Sequence, residues 1–220
     1  MKAARRDVGI ATPDATLRGE LEVPHGARGT VVFAHGSGSS RRSPRNARVA
    51  SRLREHGLGT LLFDLLTAEE ETSDLSSGRY RFDIAFLARR LRAAADWLTE
   101  QPGLPAALAF FGASTGAAAA LVAAADMPQA VAAVVSRGGR PDLAGAALRR
   151  VRAPTLLIVG GDDTVVLELN EQALRELRCE KELVVIPAAT HLFEEPGALD
   201  GVARHAADWF VRHFPARESD

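Results

Sequence analysis

Short apolar runs recur along the chain at intervals that suit buried strands. Many of their residues are β-branched, and few polar side chains interrupt them. The runs occupy residues 31–34, 60–63, 107–111, 131–135, 155–159 and 183–186. Short apolar segments without polar alternation are typical of strands that are covered on both faces. The pattern therefore predicts strands of a buried, parallel sheet.

Helical patterns fill the intervals between these runs. Ser43-Pro44 provides an N-cap followed by proline at the first helical position, and the helix after it is expected to end near Gly57. Apolar residues three and four positions apart predict two further helices, around residues 84–98 and 202–213. Alternation of strand and helix predicts an α/β fold, in which a mostly parallel sheet carries helices on both faces.

Two segments depart from this alternation. Residues 17–24 predict an extra strand, a hairpin partner at the edge of the sheet. Residues 67–81 carry three consecutive glutamates and predict a long solvated loop, with a rim over a binding site as the alternative. Because no linker or internal repeat divides the chain, we expect a single domain over residues 1–220.

Composition narrows the possible function classes. Apolar residues make up 46% of the chain and charged residues 25%, which is ordinary for a globular protein. Basic and acidic residues nearly balance, at 27 against 28, and the basic residues are spread along the whole chain. We therefore expect no nucleic-acid partner.

The cysteine count and the hydropathy of two segments indicate in which cellular compartment we expect the protein. Cys179 is the only cysteine, which excludes an internal disulfide framework and favours a reducing compartment. Residues 1–17 have early positive charge but no apolar stretch behind it, so we expect a cytoplasmic protein. Residues 106–125 are uncharged and long enough to cross a bilayer. They are mostly alanine with glycine and hydroxyl interruptions, which predicts a buried strand, turn and helix and no membrane partner.

Ser114 has the sequence surroundings of a catalytic nucleophile. It lies in Gly112-Ala113-Ser114-Thr115-Gly116, after a predicted strand and before an alanine-rich helix. In a Gly-x-Ser-x-Gly nucleophile elbow the serine occupies a strained turn between strand and helix, and small neighbours avoid steric clashes. The pentapeptide in this setting predicts Ser114 as a nucleophile.

His191 is the histidine best placed to activate that serine. A serine hydroxyl needs a base, and in this architecture the histidine follows both the serine and the acid along the chain. His205 and His213 also follow, but they lie within the predicted C-terminal helix. Because His191 lies on a loop after the 183–186 strand, we predict it as the general base and then the general acid.

An aspartate should hold the imidazole in the correct tautomer. Asp126 and Asp142 lie near predicted helix ends, where carboxylates commonly cap the backbone. Asp162 and Asp163 instead follow the 155–159 strand after two glycines, at the same edge of the sheet as the serine. One of this pair is the expected acid. Spacing leaves both open, because a shift of one residue in the turn exchanges their directions.

Two backbone amides are candidates for an oxyanion hole. Acyl transfer puts negative charge on the carbonyl oxygen, which preorganised N–H donors stabilise. Thr115 supplies the amide after the nucleophile, and the loop at residues 35–39 supplies a second, best from Ser37. Glycines at 36 and 38 let this backbone approach a substrate closely. His35 is expected to brace the loop.

The same loop does not fit a dinucleotide-binding fingerprint. It has Arg41 where the third glycine should stand, and the predicted helix does not begin until Ser43. The chain also lacks a phosphate-cradling Gly-Lys-Ser/Thr sequence and paired metal-ligand spacing. We therefore expect neither a cofactor nor a metal.

Taken together, these segments resemble the α/β-hydrolase superfamily, specifically a small dienelactone-hydrolase-like member, over nearly the whole chain. The resemblance rests on residues 35–38, 64–67, 112–116, 160–166 and 189–193. It implies the α/β-hydrolase fold. In such proteins the acid commonly stands second after the paired glycines with a valine three positions later, which implies Asp163 and Val166.

The chain departs from this family in two respects. Typical dienelactone hydrolases use a cysteine nucleophile where this chain has Ser114, so the lactone substrate does not carry over. Many relatives insert a helical lid between the strands at 131–135 and 155–159, where only about twenty residues are present here. We therefore expect no lid domain and an open pocket for small soluble acyl groups. Arg41, Arg42 and Arg137 are candidate contacts for an anionic substrate.

The expected function is a serine hydrolase that cleaves small soluble carboxylic esters through an acyl-enzyme. A thioesterase or a lactone hydrolase would differ only in the leaving group. A third hypothesis is a hydrolase-like partner module whose triad is not used for catalysis. The sequence predicts no oligomeric state.

Overall fold

The computed structural model describes residues 5–216 and contains one sheet of eight strands. These are β1 Arg5–Ala11, β2 Thr16–Glu22, β3 Thr30–Ala34, β4 Gly59–Phe63, β5 Leu108–Ala113, β6 Val131–Arg137, β7 Thr155–Gly160 and β8 Lys181–Ile186. Their spatial order is β1-β2-β4-β3-β5-β6-β7-β8. The pairs β1–β2 and β2–β4 are antiparallel, and every later pair is parallel. The predicted mostly parallel sheet is confirmed.

Helices cover both faces of this sheet. They are α1 Pro44–Glu55, α2 Ala68–Ser77, α3 Ile84–Thr99, α4 Thr115–Asp126, α5 Thr164–Glu176 and α6 Ala198–His213. Apolar residues of α3, α4 and α5 share one buried cluster with one face, whereas those of α1 and α6 share a second cluster with the other. The predicted α/β architecture is therefore confirmed.

The central strands contribute side chains alternately to these two clusters. In β3, Val31 and Phe33 belong to the cluster with α1 and α6, and Val32 and Ala34 to the cluster with α3 and α4. Side chains of a strand point alternately to opposite faces. Since both faces are covered, both sets are mostly apolar, which explains the continuous apolar runs.

The first hairpin differs from the sequence expectation. The strand predicted at residues 17–24 is β2, and it pairs with β1 as a hairpin. Its predicted place at the edge is wrong, because β1 is the edge strand and β2 lies between β1 and β4. Ile10 is the only buried residue of β1. A strand with so little buried surface has no apolar run to reveal it.

The segment predicted as a loop at residues 67–81 contains α2, so that prediction is wrong. Thr67 and Glu70 form a capping box, in which each side chain accepts a hydrogen bond from the backbone N–H of the other residue. The glutamates of the first turn also lie at the positive end of the helix dipole. Only Asp74 of this helix is buried, so apolar periodicity could not predict it.

The connection between β6 and β7 is a short 3-10 helical segment, Pro141–Arg150. It carries no inserted lid domain, as the sequence length predicted. Among residues 5–216, no helix combines the length and the apolar character that crossing a membrane requires.

Close packing at the start of α4 fixes the position of the turn before it. A Cβ added to Gly116 would overlap the carbonyl oxygens of Ala34 and His35, at the end of β3. A Cβ on Gly112 would overlap the backbone of Ala117. The two glycines that flank Ser114 therefore let strand and helix backbones approach within contact distance.

His35 joins the loops that follow β3 and β4. It is buried, its Nε2 accepts a hydrogen bond from the backbone N–H of Leu65 at 3.0 Å, and its Nδ1 lies 3.0 Å from the carbonyl oxygen of Gly36. Because Nε2 accepts, Nδ1 carries the proton and donates to that carbonyl. Burial lowers the pKa of His35 below its usual value of 6.5. The residue braces the loop in its neutral form.

Replacing Gly116 with alanine should destabilise the protein by about 1–3 kcal/mol, because the new methyl group meets backbone atoms that cannot rotate away. The matched control is Gly201→Ala in α6, where the added Cβ makes only an ordinary contact with Ile186. That change should raise stability by about 0.5–1 kcal/mol through helix propensity. Urea unfolding measures both; equal stabilities for the two variants would contradict the packing described for Gly116.

His35 should make stability depend on pH in acid. Since its pKa is lower in the folded than in the unfolded chain, the unfolded state binds the proton first. Stability should therefore fall as the pH drops below about 6.5, with a slope of up to about 1.4 kcal/mol per pH unit from this residue. His35→Gln should flatten the slope in urea unfolding between pH 7.5 and 5, and the exposed His25→Gln should not. Identical slopes for wild type and His35→Gln would refute the assignment.

Candidate active site

Residues singled out from the sequence follow the carboxyl ends of parallel strands at one edge of the sheet. His35 follows β3, Ser114 follows β5, and Arg137 is the last residue of β6. The loops after β7 and β8 carry Asp163 and His191. In an open parallel sheet these ends converge on a single crevice, where ligands bind.

Ser114 occupies a strained turn. Its backbone has φ 51° and ψ −123°, a conformation uncommon for residues other than glycine. Hydrogen bonds hold it there: its carbonyl oxygen accepts from the N–H groups of Ala117 and Arg140, both at 3.1 Å. A Cβ on Gly36 would lie 3.0 Å from the Ser114 Cβ. The neighbouring loop thus passes directly beside the serine.

His191 and Asp163 form a hydrogen-bonded pair. His191 Nδ1 lies 2.7 Å from Asp163 Oδ2. Asp163 stands at the N-cap position of α5, yet its side chain makes no capping hydrogen bond and contacts the imidazole instead. The neighbouring Asp162 is exposed, and within the described residues its side chain makes no hydrogen bond. Of the two aspartates that spacing left open, Asp163 is the one that holds the histidine.

Ser114 and His191 line the same cavity, whose volume is about 200 Å³. Within residues 5–216 the Ser114 hydroxyl makes no hydrogen bond, so the serine and the imidazole are neighbours that are not yet bonded. Catalytic hydrogen bonds are often long before substrate binds and tighten in the complex. The Asp163–His191 pair is thus formed, and Ser114 lines the same cavity without a hydrogen bond to the imidazole.

The two residues predicted to supply oxyanion-hole amides are in contact through their side chains. Thr115 is the first residue of α4, so its N–H has no acceptor within the helix. The Ser37 N–H has no acceptor among the backbone atoms of the described residues. Ser37 Oγ and Thr115 Oγ1 are 3.0 Å apart, a hydrogen bond that holds the two residues together. The two residues are therefore neighbours at the start of α4, and both N–H groups lack a backbone acceptor among the described residues.

A second, apolar recess lies next to these amides. Ser37 and Thr115 line it together with residues of the β4–α2 region and of α3, including Leu65, Leu66, Leu75 and Leu87. Its volume is about 90 Å³. Because Leu75 belongs to α2, that helix forms part of the rim, the alternative that the sequence had offered for residues 67–81.

The arginines predicted to contact substrate lie in different environments. Arg41 forms an ion pair with Asp64, and its backbone N–H donates to the same carboxylate at 2.8 Å. It lines a separate surface depression and not the cavity of Ser114. Arg137 does line that cavity and is buried. Of these arginines, Arg137 lines the cavity of Ser114, whereas Arg41 and Arg42 line the other depression.

Burial lowers the pKa of Arg137 to about 10, and the nearby charge of Arg45 acts in the same direction. The group stays cationic at neutral pH. Arg45 and Asn46 line the cavity too, and sequence reasoning missed both. Both residues lie in the first turn of α1, which starts at the same edge of the sheet as the loop of Ser114, and this position could have predicted them.

Comparison with known proteins identifies the family and the fold. The sequence pattern of the dienelactone hydrolase family matches residues 17–214. A crystal structure of a dienelactone hydrolase from Anabaena variabilis has 55% sequence identity and a TM-score of 0.95, covering 98% of this chain and 100% of its own. Est1E from Butyrivibrio proteoclasticus, solved with ferulic acid, shares the fold at 16% identity and a TM-score of 0.80, covering 94% of this chain and 98% of its own.

A curated relative from Mycobacterium tuberculosis is named "Putative phosphoribosyl transferase" and is 55% identical over 211 residues. The match covers 94% of this chain and 46% of the relative, so the chain spans about half the length of that protein. Family and structural neighbours together support a hydrolase. The chain belongs to the dienelactone hydrolase family.

Proposed function

We propose that this protein is a serine hydrolase that cleaves small soluble carboxylic esters through an acyl-enzyme. The observation that carries the proposal is the strained turn at Ser114, which lines one cavity with His191 while His191 is hydrogen-bonded to Asp163. Backbone strain persists where surrounding structure enforces it, and it clusters at active sites.

In the first step Ser114 Oγ attacks the ester carbonyl carbon, and His191 Nε2 takes the hydroxyl proton. Asp163 accepts the hydrogen bond of the Nδ1–H group, which keeps Nε2 free to act as the base and stabilises the imidazolium that forms. The negative charge that develops on the carbonyl oxygen is stabilised by the N–H groups of Ser37 and Thr115.

Collapse of this intermediate breaks the bond to the alcohol, and His191 returns the proton to the leaving oxygen. A water molecule then attacks the acyl-enzyme while His191 accepts one of its protons. The second collapse releases the carboxylic acid and gives that proton back to Ser114. The net reaction consumes one ester and one water and yields one acid and one alcohol.

Small substrates follow from the size of the site. The cavity of about 200 Å³ and the apolar recess of about 90 Å³ suit short acyl groups rather than long lipid chains. Thioesters and lactones would use the same residues with a different leaving group. We propose hydrolysis and not phosphoribosyl transfer, because this chain corresponds to less than half of the relative that has the transferase name.

Ser114→Ala should lower the turnover of short-chain esters roughly a million-fold, because a serine and its base act as one unit. A fluorophosphonate probe should label wild type at Ser114 and leave the variant unlabelled. Ester assays and intact-mass spectrometry measure these two results. A wild-type protein that neither hydrolyses esters nor reacts with the probe would instead support the partner-module hypothesis.

Asp163→Asn should lower the turnover about 10,000-fold, because the amide favours the wrong histidine tautomer. Asp162→Asn is the matched control, since it removes the same charge from the neighbouring residue, whose side chain is exposed. Its turnover should stay within about twofold of wild type by the weak effect of surface charges. A larger loss in Asp162→Asn than in Asp163→Asn would reverse the assignment of the acid.

A further inference from the structure

One wall of the cavity that holds Ser114 is cationic. Arg137 at the end of β6 and Arg45 in the first turn of α1 both line it, with Asn46 beside them. Among the described residues that line this cavity none is acidic. The triad uses neither arginine, so this charge has no role in the chemistry proposed above.

Arg137 is buried without a carboxylate. Its exposed fraction is 7%, its Nε has no hydrogen-bond partner, and the polar contact of its guanidinium within residues 5–216 is with Asn46 Oδ1, at 3.5 Å. The guanidinium also lies 5.9 Å from the centre of the Phe193 ring. A buried charge is costly unless it is paired and hydrogen-bonded. An anion in the cavity would supply the missing partner.

Arg45 adds a second guanidinium with a free donor. Its Nε is buried and unpartnered, and its ion pair is with Glu194, at 3.3 Å. The exposed fraction of the Glu194 side chain is 68%, so solvent screens that pair. Two like charges on one small cavity repel each other, and a bound anion would remove this repulsion.

The first turn of α1 contributes to the same wall. Ser43 caps this helix of 12 residues, and Ser43, Arg45 and Asn46 all line the cavity. The amino end of a helix carries a partial positive charge and favours bound anions. The helix end, the buried Arg137 and the half-buried Arg45 thus favour negative charge at one place.

We propose that Arg45, Arg137 and the start of α1 form a subsite for a phosphate group, and that the preferred esters carry a phosphate monoester close to the scissile bond. Two guanidiniums and a helix end match a group with a charge of about −2 and three acceptor oxygens better than a single carboxylate. The apolar recess is left for the uncharged part of the substrate. The proposal deepens the esterase function and rests on it for the position of the scissile bond.

Phosphate binding can be measured without turnover in the Ser114→Ala variant. Calorimetry should show that inorganic phosphate binds to Ser114→Ala, and that its affinity falls at least tenfold when Arg137→Gln or Arg45→Gln is combined with that change. Acetate should bind to Ser114→Ala at least tenfold more weakly than phosphate. Arg42→Gln is the matched control, because Arg42 is exposed and lines a different depression. Absence of phosphate binding, equal binding of acetate, or an equal loss in Arg42→Gln would overturn the subsite.

Two glutamine variants are used so that the test does not depend on the folding of one of them. Arg45 is partly exposed, so Arg45→Gln should fold even if the buried position of Arg137 tolerates change poorly. Thermal unfolding of each variant checks the fold. Loss of phosphate binding in a folded Arg45→Gln protein supports the subsite, and retained binding in both folded variants overturns it.

Kinetics then separate the subsite from the esterase function. The neutral ester ethyl butyrate is compared with two phosphorylated esters. Ethyl 4-phosphonooxybutyrate carries the phosphate on the acyl side, and 2-phosphonooxyethyl butyrate carries it on the alcohol side. Titration of the released acid measures the rate of hydrolysis. One phosphorylated ester should exceed the neutral ester about 100-fold in kcat/KM, and Arg137→Gln should reduce that ratio at least tenfold. Hydrolysis of all three esters at similar rates overturns the subsite but keeps the esterase. Phosphate binding without hydrolysis of any ester keeps the subsite and overturns the esterase.

Discussion

The close approach of β5, α4 and the loop after β3 is the constraint on which the site depends. Ser114 adopts its positive φ because Gly112 and Gly116 let the strand and helix backbones meet around it, with Gly36 passing beside its Cβ. A hydrogen bond between the Ser37 and Thr115 hydroxyls, 3.0 Å apart, joins the loop after β3 to the start of α4 beside the serine. A methyl group at either flanking glycine would disturb all three together.

Electrostatics divide the cavity into two parts. On one side His191 is paired with Asp163, so charge that forms on the imidazole has a partner within the protein. On the other side Arg137 and Arg45 have buried donors without partners. Buried charges are usually paired, and among the described residues Arg137 has no carboxylate partner, which favours a partner that arrives with the substrate. We propose that the side with His191 and Asp163 transfers protons and that the side with Arg137 and Arg45 recognises the substrate.

Local sequence patterns predicted the parts of the fold that burial or turn geometry determines. Buried strands were recognisable because both covered faces are mostly apolar, and the turn at Ser114 because its geometry demands small neighbours. Strand β1 could not be predicted, because pairing with β2 holds it in place and only one of its residues is buried. Helix α2 could not be predicted from apolar periodicity, because a capping box stabilises it and it has no apolar face. Spacing could not choose between Asp162 and Asp163, and Arg45 joins the site only through tertiary packing of α1.

The arrangement of nucleophile, base and amides is tested most directly by a crystal structure of the protein after reaction with a small fluorophosphonate. The phosphonyl group should be bonded to Ser114 Oγ, with its oxygen about 2.7–3.1 Å from the backbone nitrogens of Ser37 and Thr115. His191 Nε2 should lie within hydrogen-bond distance of the serine oxygen. A phosphonyl oxygen that faces solvent, or an imidazole that remains out of reach of Ser114, would contradict the proposed catalytic site.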